Sequence, residues 1–271
     1  SSEYEGVRLD NCLISKLKGL PRAKIYSIIR KGEVRVNKSR CKPSYRLKLE
    51  DIIRIPPYTS TQKENKKSSE LNKDKVVRSI LTKEKDFLIV NKPIGLACHG
   101  GSGISLGLIE TIRQLDKKYI DAQLVHRIDK DTSGCLVIAL KKSILREFHK
   151  EIRNKHVDKI YTAVVKGKWP EDLQRIKLLI KKETLKSGKR IVQANNKGKE
   201  SETEFKLISS GKSNSLIRAK IITGRTHQIR VHASHKGYPI VGDIKYGDVV
   251  YNKELQSKGL KRMLLHAESI N

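Results

Sequence analysis

Cysteine is scarce in this 271-residue sequence, and its four cysteines lie far apart. Cys12, Cys41, Cys98 and Cys135 include no closely spaced pair. A disulfide framework needs several cysteines in an oxidising compartment, and a structural zinc site generally needs a close cysteine pair. The spacing favours neither, so we expect free thiols and a reducing, cytoplasmic location.

Long apolar runs are also missing. No segment approaches the roughly 20 apolar residues that a membrane-spanning helix needs, and no basic segment followed by an apolar one opens the chain. The segment SGKS at Ser210–Ser213 would need glycine at position 206 to form a phosphate-binding loop, and Lys206 stands there. We therefore expect no membrane association and find no sequence signal for a bound nucleotide.

Acidic residues are outnumbered two to one. The sequence contains 58 Lys and Arg against 29 Asp and Glu, a formal net charge of +29. A surface of that sign attracts polyanions over long distances and gains affinity by releasing their counterions. Compositional drift is the alternative. Drift readily exchanges Arg for Lys, but it does not easily produce twice as many basic as acidic residues. The composition therefore favours a nucleic-acid partner.

The N-terminal part of the chain has the pattern of a small basic module. Leu9, Leu13 and Leu17 recur at helical spacing. A second helix is predicted between Pro21, which suits a first turn, and Gly32, which suits a left-handed stop. Alternating apolar residues after this stop predict short strands. Up to residue 57 the module carries 14 basic and 6 acidic residues, a net charge of +8.

A change of composition divides the rest of the chain. Residues 58–75 contain one leucine and almost nothing else to bury, which predicts a flexible polar linker. From residue 76 to 271, apolar runs such as FLIVNKP and LVIAL predict buried strands, and Ser143 is expected to cap a helix. Strands outnumber helices without regular alternation. We therefore predict an α+β domain at 76–271 with a mixed, mainly antiparallel sheet, preceded by the module at 1–57.

The segment LVHRIDKDTSGCLVIAL, residues 124–140, concentrates charge at a turn between two apolar runs. Arg127 and Lys130 flank Asp129, and nearby cations favour its ionised form. An ionised Asp can be a nucleophile, a base or a metal ligand. Hard metal ions would want more carboxylates than the neighbouring Asp131 supplies. From these residues alone, an Asp that hydrogen-bonds its own turn is the commonest interpretation.

Three histidines lie close together in the C-terminal half of the sequence. His227, His232 and His235 are five and three residues apart on a predicted helix, which places them on no single face. No carboxylate or cysteine partner is evident beside them. We expect structural or RNA-facing roles for them rather than a metal site.

The wider pattern resembles the RluA-type pseudouridine synthases. HRIDKDTSG at 126–134 resembles the catalytic motif of that family, with Ile128 in place of the usual Leu. The other shared blocks follow in the family's order: DFLIVNKPIGLACHGG, KIYTAVVKG, TGRTHQIRVHASHKGYPIVGDIKYG and MLLHA. The segments LKGLPRAKIYSIIRKGEVRVNKSR and HGGSGISLGLIETIR resemble the members that act on several uridines of large-subunit ribosomal RNA.

The N-terminal module resembles the αL-type RNA-binding module of some ribosomal proteins and RNA-modifying enzymes. In that module the second helix and the following strand present basic side chains to RNA. A merely solvated helix face is the alternative for such a run of charge. The clustering favours RNA contact, for which we expect Arg22, Lys24, Arg30, Lys31 and Arg35.

The resemblance implies a reaction in which uridine in RNA becomes pseudouridine, without a metal or another cofactor. It implies that Asp129 is the nucleophile and that Arg225 pairs with it and keeps it ionised. It also implies that Tyr161 packs against the target base and helps to remove the ring proton. Attack on the uracil ring and attack on the anomeric carbon of the sugar both stay open.

The same resemblance implies four further residues around the substrate. Arg127 would occupy the space that the everted uridine leaves in the RNA. His126 and Thr132 would shape the loop that carries the nucleophile, and Ile229 would line the floor of the pocket.

The expected partner is large-subunit ribosomal RNA or its assembly intermediates, bound by a monomeric chain. The alternative is a non-catalytic RNA-binding or ribosome-assembly protein with the same fold. The trio Asp129, Tyr161 and Arg225 favours the enzyme, because a pure binder has no need of all three. The chain ends at Asn271, where family members continue with a strand pair and a C-terminal helix, so we expect a truncated C-terminus.

Overall fold

A computed structural model describes residues 4–17, 20–57, 70–101, 106–184 and 190–271. The chain divides into two compact units, Ser1–Lys66 and Lys67–Asn271. No helix within the described ranges combines the length and the apolar character that a membrane crossing needs.

The N-terminal unit contains two helices and a short two-stranded antiparallel sheet. Its elements are α1 (Leu9–Lys16), α2 (Arg22–Arg30), β1 (Arg35–Val36) and β2 (Ile53–Arg54). Leu9 and Leu13 are fully buried in one apolar core with the isoleucines of α2, because helical spacing puts them on one face. Pro21 takes the N-cap position of α2, and Gly32 follows the helix with φ of 74°. Proline and glycine therefore set the ends of α2 where the sequence predicts them.

The second unit is built on one sheet, which has ten strands in the described part of the chain. The strands are β3 (Ile80–Lys83), β4 (Phe87–Lys92), β5 (Gln123–Leu124), β6 (Ser133–Ala139), β7 (Lys159–Lys166), β8 (Arg175–Thr184), β9 (Arg190–Ala194), β10 (Lys199–Ser210), β11 (Asn214–Ile221) and β12 (Leu265–Ile270). The helices are α3 (Glu70–Ser79), α4 (Leu108–Arg113), α5 (Lys142–Arg153), α6 (Gln228–His235) and α7 (Val249–Ser257), with a 3-10 turn at Lys117–Tyr119.

The strand order along the sheet is β3-β4-β6-β12-β7-β11-β10-β8-β9, and β5 pairs with β6. Every described strand pair of this sheet is antiparallel except β6 with β12, which is parallel. This arrangement confirms the α+β fold with a mixed, mainly antiparallel sheet.

Strand β6 is covered on both faces. Leu136 and Ile138 are fully buried in the main core. Val137 and Ala139 point to the other face, where they form a second cluster with half-buried apolar residues of α5 such as Phe148. Burial on both faces explains why this strand reads as an uninterrupted apolar run rather than an alternating one. The strand is a rigid support for the loop that precedes it.

Two local expectations differ from the structure. Helix α3 begins at Glu70, inside the segment 58–75 for which a flexible linker is expected, and residues 58–69 lie outside the described residues. This helix is ordered by Val76, which is fully buried in the main core. Helix α5 begins at Lys142 with Lys141 in the cap position, so Ser143 lies in the first turn and is not the cap.

Candidate active site

Asp129 lies on the loop between β5 and β6, and the loop is held tightly at its end. The Thr132 N–H donates to the Asp129 carbonyl oxygen at 3.2 Å, and Thr132 is buried. Gly134 has φ of 118°, and a Cβ there would lie 2.2 Å from the Ala267 carbonyl oxygen of β12. Only glycine combines that backbone angle with so close an approach. The end of the loop therefore packs closely against β12, the parallel neighbour of β6.

A buried lysine supports the same loop from beneath. Lys92, at the end of β4, has no exposed surface. Its Nζ donates to three carbonyl oxygens, those of Pro93 at 2.8 Å, Leu96 at 2.8 Å and Lys130 at 3.1 Å. Burial lowers the pKa of Lys92 to about 8, against the opposing charges of Cys98, Asp131 and Asp129. Sequence reasoning gave this residue no role, although a lysine at the end of an apolar strand was a visible signal.

Arg230 binds the Asp129 carboxylate. Its Nη1 lies 3.2 Å from Asp129 Oδ2, with the arginine side chain 6% exposed and the aspartate side chain 25% exposed. The rest of the guanidinium is fixed by Asp243, with Nε to Oδ2 at 2.7 Å and Nη2 to Oδ1 at 2.8 Å. A fork of this geometry orients the guanidinium as well as binding it.

The expected pairing of Arg225 with Asp129 is corrected by this geometry. Arg225 is exposed, and its Nε donates to the Glu200 carbonyl oxygen at 3.1 Å. It precedes α6, whereas Arg230 lies in the buried face of that helix. Both arginines belong to the block TGRTHQIRVH, and the helix start decides which one turns inward.

The charge of the Arg230 guanidinium is secured despite its burial. Burial works against the charged form, but the hydrogen bonds and charge of Asp243 and the charge of Asp129 outweigh it and raise the pKa of Arg230. Burial likewise opposes the charge on Asp243, but its hydrogen bonds with Arg230 hold its pKa below the usual range. The site therefore presents a fixed cation to the Asp129 carboxylate.

Tyr161 lies on β7 and is 7% exposed. Burial, reinforced by the charge of Asp129, raises the pKa of its phenol. The hydroxyl is therefore neutral at physiological pH, which favours a packing role for the ring over a role as a phenolate base. Ile229, from α6, is buried in the same apolar core as Tyr161.

The two residues before Ile128 face different surroundings. His126 accepts a hydrogen bond at Nε2 from the Val137 N–H at 3.2 Å, and burial lowers its pKa to about 4. It is a neutral brace between the loop and β6. Arg127 is exposed. It borders a cleft of about 350 Å³ whose lining includes His99, Arg113 and His149.

His227 and Tyr246 also adjoin the carboxylate, and sequence reasoning did not place them there. His227 Nε2 lies 3.8 Å from Asp129 Oδ2, and its Nδ1 lies 2.7 Å from the Tyr246 hydroxyl. The Tyr246 ring also contacts the Arg230 guanidinium, 5.0 Å from its centroid. In the described residues, no three His, Cys, Asp or Glu side chains form a group suited to a metal ion.

The basic residues expected to contact RNA lie in the N-terminal unit. Arg22, Lys24, Arg30 and Lys31 are exposed on α2 and its exit turn. Arg35 is half-buried, and its side chain donates to the carbonyl oxygens of Gly32 at 3.3 Å and Lys38 at 3.2 Å. The first four are therefore available to a partner, whereas Arg35 also braces its own turn.

Comparisons with known proteins give matches in both units of the chain. Residues 86–235 match the family described as RNA pseudouridylate synthase, and residues 7–53 match the S4 domain. Over the whole chain, this sequence is 46% identical to ribosomal large subunit pseudouridine synthase C of Pasteurella multocida (strain Pm70), covering 83% of that protein. It is 43% identical to the protein of the same name from Escherichia coli (strain K12), covering 86% of it.

Solved structures give the same likeness. Human RNA Pseudouridylate Synthase Domain Containing 1 matches with a TM-score of 0.58 and 28% identity, over 71% of this chain and 77% of that one. Human RNA Pseudouridylate Synthase Domain Containing 4 matches with a TM-score of 0.59 and 27% identity, over 74% and 86%. The family resemblance seen in the sequence is confirmed, as is its likeness to the members that act on large-subunit RNA.

Proposed function

The chain belongs to the RNA pseudouridylate synthase family, and from this premise we propose that it isomerises uridines of large-subunit ribosomal RNA with Asp129 as the nucleophile. As a member of that family it is an RNA-modifying isomerase. The names of its relatives support the choice of RNA. The RNA-binding module and the net charge of +29 support RNA as the partner.

The paired Asp129 carboxylate is the observation that carries the proposal. The reaction breaks the bond from C1′ to N1 of uracil and forms one from C1′ to C5, while one proton leaves C5 and one is gained at N1. An anion that is partly exposed yet held by a buried arginine can form a bond to the nucleoside and leave again, as in retaining glycosidases. Arg230 takes the partner role that the sequence pattern suggested for Arg225.

Access to the target uridine requires that its base leave the RNA stack. Eversion costs a few kcal/mol of stacking. Arg127 is exposed two residues before Asp129, which suits a side chain that fills the vacated space. Tyr161 offers the everted ring a buried, neutral aromatic surface close to the carboxylate. We therefore expect the everted base to lie against the Tyr161 ring, beside the Asp129 carboxylate.

The physiological setting is part of the same proposal. We place the chain in the cytoplasm as a monomer that acts on large-subunit RNA or on its assembly intermediates. Four free cysteines are compatible with a reducing compartment. Size-exclusion chromatography with light scattering tests the monomer, and a stable dimer would contradict it.

The test of the proposed function is conversion of uridine in a large-subunit RNA transcript that carries no modifications, with EDTA present. We expect site-specific pseudouridine with wild-type protein and a loss of more than about 1,000-fold in rate with Asp129→Asn, because the nucleophile is removed. Asp131→Asn is the matched control, since Asp131 is exposed two residues away on the same turn. Wild-type protein that binds this RNA without converting any uridine would contradict the proposal.

A further inference from the structure

His227 has an unusual backbone conformation at the start of α6. It takes the N-cap position with φ of 57° and ψ of 22°, the left-handed region. Asparagine, aspartate and histidine are enriched in that region, whereas other side chains apart from glycine enter it rarely. The conformation places the imidazole between Asp129 and Tyr246, with its side chain 18% exposed. A histidine therefore tolerates this backbone, which sets its imidazole beside both groups.

The hydrogen bonds around Tyr246 assign the tautomer of His227. The Tyr246 hydroxyl oxygen accepts the Val192 N–H at 2.9 Å. We infer that the Tyr246 hydroxyl donates its one proton to His227 Nδ1, 2.7 Å away. A neutral imidazole that accepts at Nδ1 carries its own proton on Nε2. This inferred tautomer directs an N–H group at the Asp129 carboxylate.

Both donors beside Asp129 address the same oxygen. Arg230 Nη1 lies 3.2 Å and His227 Nε2 lies 3.8 Å from Asp129 Oδ2. Hydrogen bonds in catalytic sites are often long without substrate and shorten in the complex. At 3.8 Å His227 makes no hydrogen bond to Asp129 in this structure, so the proposal below requires Nε2 to move closer to Oδ2.

We propose that His227 is a positioning residue, held by Tyr246 as the Nε2–H tautomer, that closes onto Oδ2 of Asp129 when RNA binds and leaves Oδ1 as the attacking oxygen. The inference rests on the proposed function, in which Asp129 is the nucleophile. An Oδ1 electron pair forms the bond to C1′ as the C1′–N1 bond breaks with its electrons on N1, or to C6 as the C5=C6 electron pair shifts into the uracil ring. The pair returns to the carboxylate when the bond to Oδ1 breaks. No proton leaves His227, and its N–H stabilises the carboxylate as it is released.

Burial keeps His227 neutral, although charges of both signs face it. Burial lowers its pKa below the ordinary value. Among the charges, Asp129 and Asp243 oppose that direction, and Arg230 and Lys245 reinforce it. A neutral imidazole can donate to the carboxylate without adding a second cation to the one that Arg230 already supplies.

Two conservative variants separate positioning from a purely structural role. In His227→Gln the side-chain amide reaches the place of Nε2 and retains a donor towards Asp129. In His227→Asn the shorter amide reaches only the place of Nδ1, but asparagine is the better residue for the left-handed backbone. Positioning therefore predicts that glutamine is the better replacement, and a structural role predicts asparagine.

We expect the single-turnover rate of pseudouridine formation at saturating RNA to fall about 30-fold in His227→Asn, the value of one hydrogen bond to a charged group. We expect a fall of only about 5-fold in His227→Gln, because the donor is retained. RNA affinity should stay unchanged in both variants. His156→Asn is the control, because His156 is exposed and lies elsewhere. Equal rates for the two variants, or a faster His227→Asn, would overturn the proposal.

A measurement without turnover tests the tautomer. NMR of isotope-labelled histidine, with the His227 signal identified by its loss in His227→Gln, should show Nδ1 without a proton and Nε2 with one. A proton on Nδ1 would overturn the proposal whatever the rates are. An inactive wild-type protein would instead contradict the proposed function, and the NMR result stays decisive for the tautomer. The two failures are therefore distinguishable.

Discussion

The two units of the chain use positive charge in different ways. In the N-terminal unit, cations such as Arg30 and Lys31 are exposed on α2 and its exit turn. In the second unit, Lys92 and Arg230 are buried, and their donors bind carbonyl and carboxylate oxygens at defined distances. Exposed cations contribute screened, long-range attraction, whereas buried ones fix geometry because an unpaired charge there is very costly. We therefore expect charge in the first unit to support RNA affinity, whereas Lys92 and Arg230 hold the loop and the carboxylate of Asp129.

The largest expected effect comes from breaking the buried pair. Arg230→Met should lower the free energy of unfolding by about 3–5 kcal/mol, because Asp243 is left buried and uncompensated. Adding Asp243→Asn, which removes the uncompensated charge and keeps an acceptor for the backbone N–H groups of Lys245 and Tyr246, should restore part of the stability without restoring pseudouridine formation. Urea unfolding and single-turnover assays measure the two effects separately.

Arg225→Met is the matched control for that experiment. Arg225 lies five residues earlier and is exposed, so its replacement should leave the free energy of unfolding close to the wild-type value. If Arg225→Met lowered the free energy of unfolding as much as Arg230→Met, the proposed difference between exposed and buried cations would be contradicted.

An intermediate effect is expected from a buried histidine. His232 is fully buried, and burial lowers its pKa to about 4. Its Nε2 lies 2.8 Å from Ser201 Oγ, and because the Ser201 hydroxyl donates to the Leu178 carbonyl oxygen, the ring is inferred to be the donor in this bond. The unfolded chain, with an ordinary pKa of about 6.5, therefore binds more protons between these values, so stability is complete above pH 6.5 and lost as pH falls towards 4. This group should remove about 2 kcal/mol of unfolding free energy between about pH 7.5 and pH 5.

His232→Gln should reduce that pH-dependent loss, since the amide retains a donor to Ser201 and does not titrate. His235→Gln is the control three residues later on the same helix, where the side chain is exposed. Urea unfolding curves at both pH values measure the difference. Identical pH dependence in wild type and His232→Gln would contradict the assignment.

The smallest effect per residue is expected in the N-terminal unit. Arg30→Gln with Lys31→Gln should lower the slope of log affinity against log salt by about 0.7–0.9 for each RNA phosphate that the variant no longer neutralises. The conversion rate at saturating RNA should not change. Lys258→Gln, an exposed cation at the end of α7, is the control. A fall in the saturated rate would show that these cations shape the site as well as the affinity.

Local patterns predicted the elements that depend on local physics. Helix α2 begins after Pro21, whose ring fixes φ near the helical value, and ends before Gly32, which readily takes a positive φ. Both effects belong to the single residue and need no tertiary contact. The apolar runs predicted strands β4, β6 and β7, and the charged residues between two such runs predicted the turn that carries Asp129. Ser143 was expected to cap α5, but the cap is Lys141, two residues earlier, a margin that capping propensity alone does not resolve.

By itself the sequence determined the fold class, the family and the loop that carries Asp129, since spacing, composition and shared motifs are properties of neighbouring residues. Only the tertiary structure decided that Arg230 rather than Arg225 binds Asp129. The same is true of Asp243, Tyr246 and His227, which complete the site. The physical reason is distance along the chain: Arg230 and Asp129 are 101 residues apart, and their contact exists because α6 and β6 pack in one core. A local sequence pattern does not predict this packing, which buries Arg230 and leaves Arg225 exposed.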